Sequence, residues 1–530
     1  MMEIQSAQLF GREGIKVFVN RPKTIIHFFQ DTVDKYGDKD AVITENEKFT
    51  YSQLDEISNR VASNLQNNYG VEKGDRVAVV IGNGIDFPLS TLACSKIGAI
   101  MVPVNVKLSS DEIHYILGHS KPKVLIFENE FNDKITAIKE MDSTVLPPQE
   151  FVFEISGDNT YSKLLKETNA PYKSDVSEED SAYILYTSGT TGRPKGAVLS
   201  HINVIHSVMN YKSVFETDST IKTAIAVPMF HVTGLVGQLL HMFYIGGSVY
   251  SIRRYQNEEY IRRVLENHIN FLFNVPTIFI MMSTSKEFED GAFDFVKKVA
   301  FGGSPIYQQT FQLLQKAFPS AALHNAYGST ETTSPATLMP VSYPNTKVTS
   351  VGKAVKVAEI KVMNPLGEEC PPGESGELFI KGPMVIKEYW DNPTANLSGF
   401  SEGFWKSGDI GIVDEDGYFY IRDRMKDMIN RAGEKIFSIE VEDVLKKHPL
   451  VIEAAVIGEP DPIFGEKVKA FIVGPDLTEK HFSELKQHCL KHLAKFKVPE
   501  EFEILETLPR NASGKILKSN LKNLGGVKNA

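Results

Sequence analysis

Apolar positions along the chain keep two rhythms. Near the start they recur at helical spacing: Ile25, Ile26, Phe28, Phe29 and Val33 within Thr24–Tyr36, then Leu54, Ile57, Val61 and Leu65 on one face of Ser52–Leu65, with Ser52 placed as N-cap. Short continuous apolar runs follow at Arg76–Ile81, Ala99–Val104 and Val124–Phe127, which predict buried strands. A helical stretch near Pro88–Lys96 and another opened by Ser109-Ser110-Asp111-Glu112, a capping box, separate those runs. Ala182–Tyr186 and Ala197–Leu199 read as strands, and Thr223–Val227, Ser248–Ile252, Phe271–Val275, Lys298–Phe301 and Ala322–Ala326 resume the alternation with helical stretches between them. Strand, helix, strand in this order predicts βαβ units and parallel sheets.

From about Val351 the texture changes to short strands with Gly/Pro turns: Pro365-Leu-Gly-Glu, Gly376–Lys381, and a hairpin turn at Asp414-Glu-Asp-Gly417. The charged run Arg422–Lys426 separates these from a mixed stretch with helices at Ile439–Lys447 and His481–Leu493 and strands at Ala454–Ile457 and Lys469–Val473. The predicted fold is therefore α/β: a large N-terminal domain, residues 1–424, of doubly wound sheets with a small β-rich subdomain at about 351–423. A small mobile α+β C-terminal domain, residues 425–530, follows it. There is no internal repeat and no low-complexity tail.

Length and composition narrow the function. A chain of 530 residues has room for two to four domains or subdomains with large cores. Net charge of −10 and the absence of a long basic run argue against a general nucleic-acid binder. Cys94, Cys370 and Cys489 lie far apart and form neither a disulfide framework nor a zinc motif, which fits a reducing cytoplasm. The first residues carry no basic-then-apolar signal pattern. The greasiest window, Val227–Tyr250, is broken by Pro228, His231, Gln238 and His241, so it reads as a buried strand plus helix rather than a membrane span. Peripheral membrane contact and the oligomeric state, a homodimer included, are left open.

The densest chemistry lies in Tyr186–Gly196, Tyr-Thr-Ser-Gly-Thr-Thr-Gly-Arg-Pro-Lys-Gly, where four Ser/Thr hydroxyls, three glycines and two cations fall between predicted strands. Glycines let backbone N–H groups turn toward an anion that the hydroxyls and Lys195 also contact, so polyphosphate is the expected ligand. A plain turn with a solvated Lys–Arg pair would account for a lone Gly-x-x-Gly but poorly for this density. It is not a Walker A loop: no Gly-x-x-x-x-Gly-Lys-Ser/Thr occurs, and a strand follows where a P-loop has its helix.

Three strand ends, where open α/β sheets place ligands, carry Pro228-Met-Phe-His231, Gly302-Gly303-Ser304-Pro305 and Tyr327-Gly328-Ser329-Thr330-Glu331. In the last, the ring suits a purine, Thr330 a phosphate, and Glu331 a hard Mg²⁺ ion. Ser407-Gly408-Asp409 offers one carboxylate suited to ribose hydroxyls, Arg424 and Lys426 sit in Asp-Arg-Met-Lys-Asp, and Lys515 closes Pro509-Arg-Asn-Ala-Ser-Gly-Lys. Taken singly, each is more often a turn residue, a core histidine or a solvated charge.

Together, in this order and rough separation, these motifs resemble the adenylate-forming superfamily: acyl- and aryl-CoA ligases, luciferases and peptide-synthetase adenylation domains. The resemblance covers nearly the whole chain and is closest to a bacterial-type fatty-acid–CoA ligase; the loop and Tyr-Gly-x-Thr-Glu are its most specific parts. It implies that Thr187, Ser188, Gly189, Thr190, Thr191 and Lys195 contact the ATP phosphates, that Tyr327 stacks near adenine, and that Gly192, Gly303, Ser304, Asn325, Ala326 and Gly328 belong to the ATP/AMP site. Thr330 would meet the α-phosphate, Glu331 would position Mg²⁺, Asp409 and Arg424 would hold ribose, and Lys515 would reach the acyl-adenylate oxygens. Thr187, Lys195, Glu331 and Lys515 thereby take catalytic roles. His231, Thr233 and Gly302 would line the acyl pocket, Lys426 would be the hinge of the small domain, and Ala432 and Gly433 would border the CoA tunnel. Asp423 and Ala432 stand where many relatives have glycine (or, at 432, lysine), Asn430 where many have lysine, and Ser438 where proline is frequent; these departures touch CoA binding rather than adenylation.

The implied activity is an ATP-dependent acid–CoA ligase. A carboxylate attacks the α-phosphorus of ATP to give acyl-AMP and pyrophosphate, and the CoA thiolate then displaces AMP. The mostly apolar Leu235–Tyr244 stretch, without a cation, favours a medium- or long-chain fatty acid. Thr233, where plant coumarate ligases often carry tyrosine, keeps an aryl acid as the second choice. A free-standing adenylation enzyme loading a carrier protein is a further alternative, as is a luciferase. A nucleotide sensor without turnover would be expected to lack Glu331 or Lys515, and both are present.

Overall fold

The computed structural model describes residues 2–155, 170–187, 193–289, 291–304, 306–510 and 516–524. The first sheet holds β1 (Arg76–Val80), β2 (Ile100–Pro103), β3 (Val124–Glu128), β4 (Val152–Ile155), β5 (Ser181–Thr187) and β6 (Lys195–Ser200), in the order β6-β5-β2-β1-β3-β4. All neighbours are parallel except the β5–β6 hairpin. The second sheet is built on β7 (Lys222–Ile225), β8 (Ser248–Ser251), β9 (Phe271–Asn274), β10 (Lys298–Gly302) and β11 (Ala322–Tyr327), parallel in the order β11-β10-β9-β7-β8.

Side-chain alternation shows why these strands read as unbroken apolar runs. Val77 and Val79 of β1 enter one core with Phe271 and Phe273 of β9, whereas Ala78 and Val80 pack into a second core and Leu272 into a third. Both faces of both sheets are covered, which is the condition that parallel strands require. Between the sheets, helix α1 (His201–Phe215) contributes Val204, Ile205, Val208 and Phe215 to the shared core.

The helix after the predicted cap Ser52 begins one residue earlier, at Tyr51. Thr50 accepts from the Gln53 N–H, and the Gln53 side chain accepts from the Thr50 N–H at 2.8 Å. A reciprocal capping box needs Gln or Glu three residues on, which Thr50 has and Ser52, facing Asp55, lacks.

The β-rich stretch extends the second sheet. Through β12 (Thr337–Leu338) and β13 (Gly352–Ala354), β11 connects antiparallel to β14 (Glu359–Met363), β15 (Gly376–Lys381), β16 (Phe404–Val413) and β17 (Tyr418–Arg424). At the other edge β8 pairs with Asp40–Ile43, giving a fourteen-stranded sheet among the described residues. Residues after Lys426 form their own sheet of β18 (Ile429–Arg431), β19 (Glu434–Ile436), β20 (Glu453–Asp461), β21 (Gly465–Val473) and β22 (Glu501–Ile504). Its core of Ile429, Val441, Leu445, Val456, Ile472 and Leu485 is separate from those above. Among the described residues no helix is long and apolar enough to cross a membrane.

Candidate active site

The β5–β6 hairpin sets Thr187 directly opposite Lys195; Ser188, Gly189, Thr190, Thr191 and Gly192 lie outside the described residues. The Lys195 ammonium stands 5.4 Å from the centre of the Tyr389 ring, whose face attracts cations. Tyr389 is fixed against the hairpin by a bridge to Ala197 and by the Trp390 N–H donating to the Gly196 carbonyl at 2.7 Å. Its hydroxyl donates to Glu331 Oε1 at 3.0 Å and accepts from the Trp405 indole N–H at 3.1 Å. Burial, and then the Glu331 charge, push the Tyr389 phenol up, so it remains a proton donor. Tyr389 thus joins the phosphate hairpin to the carboxylate assigned to magnesium. It escaped the motif reading because Glu-Tyr-Trp carries no local signal.

One carboxylate beside the hairpin that the sequence assigns to phosphate suits Mg²⁺, which takes one or two protein carboxylates and fills its other positions with phosphate oxygens and water. Thr330 and Glu331 are half-buried in the turn after β11, which is closed by Thr333 N–H donating to the Thr330 carbonyl at 3.0 Å. Thr333 and Ser334, with φ of 50° and 35°, are left-handed there, a strained backbone of the sort that clusters near functional sites.

A second cluster forms where β11 approaches β16 and β17. The Tyr327 hydroxyl donates to Asp409 Oδ2 at 2.8 Å, and Arg424, opposite Asp409 in the β16–β17 register, holds Nε 3.3 Å from Oδ1. Asp409 is 7% exposed and Arg424 far more open, so the carboxylate is fixed and the guanidinium faces outward. Burial, followed by the Asp409 charge, raises the Tyr327 phenol far above its usual range. Gly408 N–H donates to Glu377 at 3.0 Å, holding the turn that aims Asp409.

At the neighbouring strand ends, Gly302 pairs with Ala326, and any Cβ on Gly302 would sit 2.4 Å from the Ala326 carbonyl. Only glycine permits that approach. Gly303 follows with φ 80°, and Ser304 is half-buried beside it; Pro305 lies outside the described residues. Asn325 is buried and spends its amide on the Ser350 carbonyl at 3.0 Å. Gly328 is tight against Thr332 and Pro335.

The Pro228–His231 turn leads into a π-helix, Thr233–Leu240, rather than a plain α-helix, before His241–Ile245. Gly234 fits because its Cβ position lies 2.5 Å from the Pro228 carbonyl. His231 is half-buried, its Nε2 is enclosed with no hydrogen-bond partner among the described residues, and burial of the ring pushes its pKa down to about 4; the ring is neutral at physiological pH. Thr233 is half-buried. The sequence reading passed over Asn83, just beyond β1. Its amide donates to the Ile225, Val227 and Ile252 carbonyls and accepts from the Met229 N–H at 2.8 Å. Asn83 therefore ties the strand ends of the two sheets to the turn that carries His231.

Lys426 lies in a turn where Met425 N–H donates to the Gly408 carbonyl at 2.8 Å and Met428 N–H to the Arg424 carbonyl at 3.0 Å. Beyond it, Ala432 and Gly433 are both left-handed, with φ of 53° and 89°. Ala432 N–H donates to the Phe464 carbonyl, and Gly433 N–H to Asn430 Oδ1 at 3.1 Å, so Asn430 shapes this hairpin. A methyl group placed on Gly433 would meet nothing within 4 Å. Other residues of the small domain, on its helix Ser438–Lys446 and at Arg510, touch the large domain. Tyr307 OH donates to Glu442 at 3.3 Å, Lys446 stands 3.5 Å over the Tyr307 ring, and Arg510 reaches Thr277 at 3.4 Å. Lys515 lies outside the described residues; Arg510 and Ile516 on either side of it form a β-bridge.

The description "AMP-binding enzyme" matches residues 29–390, and "AMP-binding enzyme C-terminal domain" matches residues 440–515. The chain is 32% identical over 493 residues to the 2-succinylbenzoate–CoA ligase of Bacillus licheniformis, covering 91% of this chain and 96% of that one. It is equally 32% identical, over 476 residues, to a long-chain-fatty-acid–CoA ligase of Mycobacterium tuberculosis, covering 90% and 93%. Among solved structures, o-succinylbenzoate coenzyme A synthetase from Bacillus subtilis, in complex with ATP and magnesium ion, superposes with a TM-score of 0.82 at 28% identity, covering 95% of this chain and all of that one.

Proposed function

Since the chain belongs to the AMP-binding enzyme family and carries that family's C-terminal domain, we propose that it converts a medium- or long-chain fatty acid to its CoA thioester. Its reaction class is that of an AMP-forming acid–CoA ligase, working through an acyl-adenylate. The observation that supports the acyl choice is the apolar character of the π-helix beyond His231: Leu235, Val236, Leu239 and Leu240 belong to the main core, and the histidines at its two ends, His231 and His241, are neutral. An apolar chain gains by burial against such side chains; Thr233–Leu240 itself carries no charged residue, while Lys107 acts on the His231 end.

In the reading proposed here, Lys195 and the hydroxyl-rich hairpin hold the ATP phosphates while Asp409 and Arg424 hold ribose. Magnesium, when bound at Glu331, neutralises phosphate charge. Tyr389 keeps the Glu331 carboxylate aimed by its hydrogen bond. The acid's carboxylate then attacks the α-phosphorus, and pyrophosphate leaves; Lys515 stabilises the charge that develops. The small domain, residues 425–530, turns about Lys426 and brings Ala432 and Gly433 to the acyl-adenylate, where the CoA thiolate displaces AMP.

An aryl acid is the second reading, favoured by one observation. Thr233, at the position where plant coumarate ligases often carry tyrosine, is half-buried at the start of the π-helix, so a hydroxyl stands there to meet a polar ring substituent. CoA-dependent AMP release over a panel of fatty, hydroxycinnamic and benzoic acids separates the two. Best turnover on hydroxycinnamates would overturn the fatty-acid reading. Release of acyl-AMP to a carrier protein but not to CoA would overturn the choice of acceptor.

A further inference from the structure

Helix α2 (Ser438–Lys446) begins without a cap of its own: Phe437 stands at its N-cap position, and its side chain makes no capping bond. The first N–H of the helix, that of Ser438, donates instead to Asp423 on β17, and the Ser438 hydroxyl donates to the same oxygen at 2.7 Å. Asp423 and Ser438 are 2% and 0% exposed. Lys518, on helix α3 (Lys518–Leu524), donates to the Ser438 hydroxyl oxygen and pairs with Glu442 at 2.7 Å.

The two partners belong to different bodies. Asp423 is a strand residue of the fourteen-stranded sheet, opposite Ile410. Helix α2 packs its Val441, Val444 and Leu445 into the separate core of the small sheet. The turn at Lys426 lies between them in the chain, so a rigid rotation there must pull Asp423 and Ser438 apart. The resemblance assigned the departures at Asp423 and Ser438 to CoA binding; their mutual contact instead ties both residues to the orientation of the small domain.

We propose that Asp423 and Ser438 form a latch across the Lys426 turn, positioning the small domain for acyl-adenylate formation and opening before thioester formation. This rests on the two-step reading given above. The assignment to the first step follows from the face presented. With the latch closed, Arg510, which precedes the Lys515 segment, reaches Thr277 just beyond β9, while Ala432 and Gly433 bond to their own hairpin and Phe464. A carboxylate at a helix N-terminus is favoured by the unpaired N–H groups there. Once opened, both partners regain water, so the contact is reversible.

Ser438→Pro is the sharpest test. It removes the N–H and the hydroxyl, yet proline is well accepted at the first helical position, so α2 persists. Asp423→Ala removes the acceptor. Each variant should lower pyrophosphate–ATP exchange about five- to tenfold, the scale of a lost helix cap. Thioester formation from supplied acyl-AMP should stay at or above the wild-type rate. Spin labels at Leu397 and Ile463, 86% and 80% exposed on the two bodies, should show a single dominant distance in the nucleotide-free protein and a broadened distribution in either variant. An unchanged distribution, or equal loss in both half-reactions, would overturn the latch. A wild-type protein without pyrophosphate exchange on any acid would instead defeat the ligase reading, and the label distances would still judge the latch.

Discussion

The two bodies of this enzyme hold their functional residues by opposite means. In the large body the side chains sit at ends of strands locked by backbone pairing. Asp409 and Arg424 are register partners, Thr187 and Lys195 are register partners, and Gly302 meets Ala326 across β10 and β11. The small body meets the large one largely through polar contacts: Asp423 with Ser438, Tyr307 with Glu442 and Lys446, and Arg510 with Thr277. Ladders and dry cores open only with unfolding. Polar contacts exchange readily for water, and their net worth is modest. On the proposed reading, a site divided this way has one fixed half and one half delivered by motion.

The sharpest way to break that comparison is to remove the residue assigned to the delivered half. Lys515→Ala should slow acyl-AMP formation by roughly a thousandfold, the scale of a lost charge-stabilising contact in a desolvated site. Thioester formation from supplied acyl-AMP should survive, as single-turnover assays of the two steps would reveal. Equal losses would place Lys515 with the fixed half.

Lys426→Pro addresses the motion itself. Proline fixes φ and restrains Met425 before it, so it should trap one orientation. Pyrophosphate exchange is expected near wild type while CoA-dependent turnover falls by about a hundredfold, on the view that a few turn residues absorb the rotation. Lys426→Ala, which leaves the dihedrals free, should retain both activities. If alanine is as damaging as proline, the ammonium rather than the turn is what matters.

Acid should separate the bodies by their histidines. Burial lowers His201, His231 and His324 from 6.5 to about 4, and His206 and His241 to about 3; all five belong to the large body. Unfolded imidazoles take protons near 6.5, so below that pH protons favour the unfolded state. The stability these groups contribute is full above about pH 6.5 and declines as pH falls toward 4. Each should cost about 2 kcal/mol by pH 5. Calorimetry between pH 7 and 5 should show the large-body transition falling further than that of residues 425–530, where burial lowers His488. A common shift of both would argue that the bodies unfold as one.

The smallest expected effect tests how rigid the fixed half is. Tyr389→Phe keeps the ring under Lys195 but removes the hydroxyl between Glu331 and Trp405. Loss of one such bond to a charged group is worth about 1.5 kcal/mol, so pyrophosphate exchange should fall roughly tenfold. If Tyr389 acts by aiming Glu331, the half-saturating Mg²⁺ concentration should rise with it. A loss at unchanged magnesium dependence would reduce Tyr389 to packing.

Much of this was written in short stretches of sequence. The apolar runs at Arg76–Ile81 and Phe271–Val275 found their strands because burial on both faces leaves an unbroken local signal, and the Ser109–Glu112 box capped its helix as its spacing requires. The strand-end motifs were legible for the same reason: each is contiguous. What only the tertiary structure decided are relations between residues far apart in the chain. The β-rich stretch continues the parallel sheet, because β11 pairs with β12 once its own strand neighbours leave that edge free. Tyr389 joins Lys195 to Glu331 because a loop crosses the hairpin, and Asp423 caps a helix that begins fifteen residues later. Local periodicity records which face of an element is buried. It carries no record of which distant backbone or carboxylate will meet that face, since such contacts form only when the cores have brought their elements together.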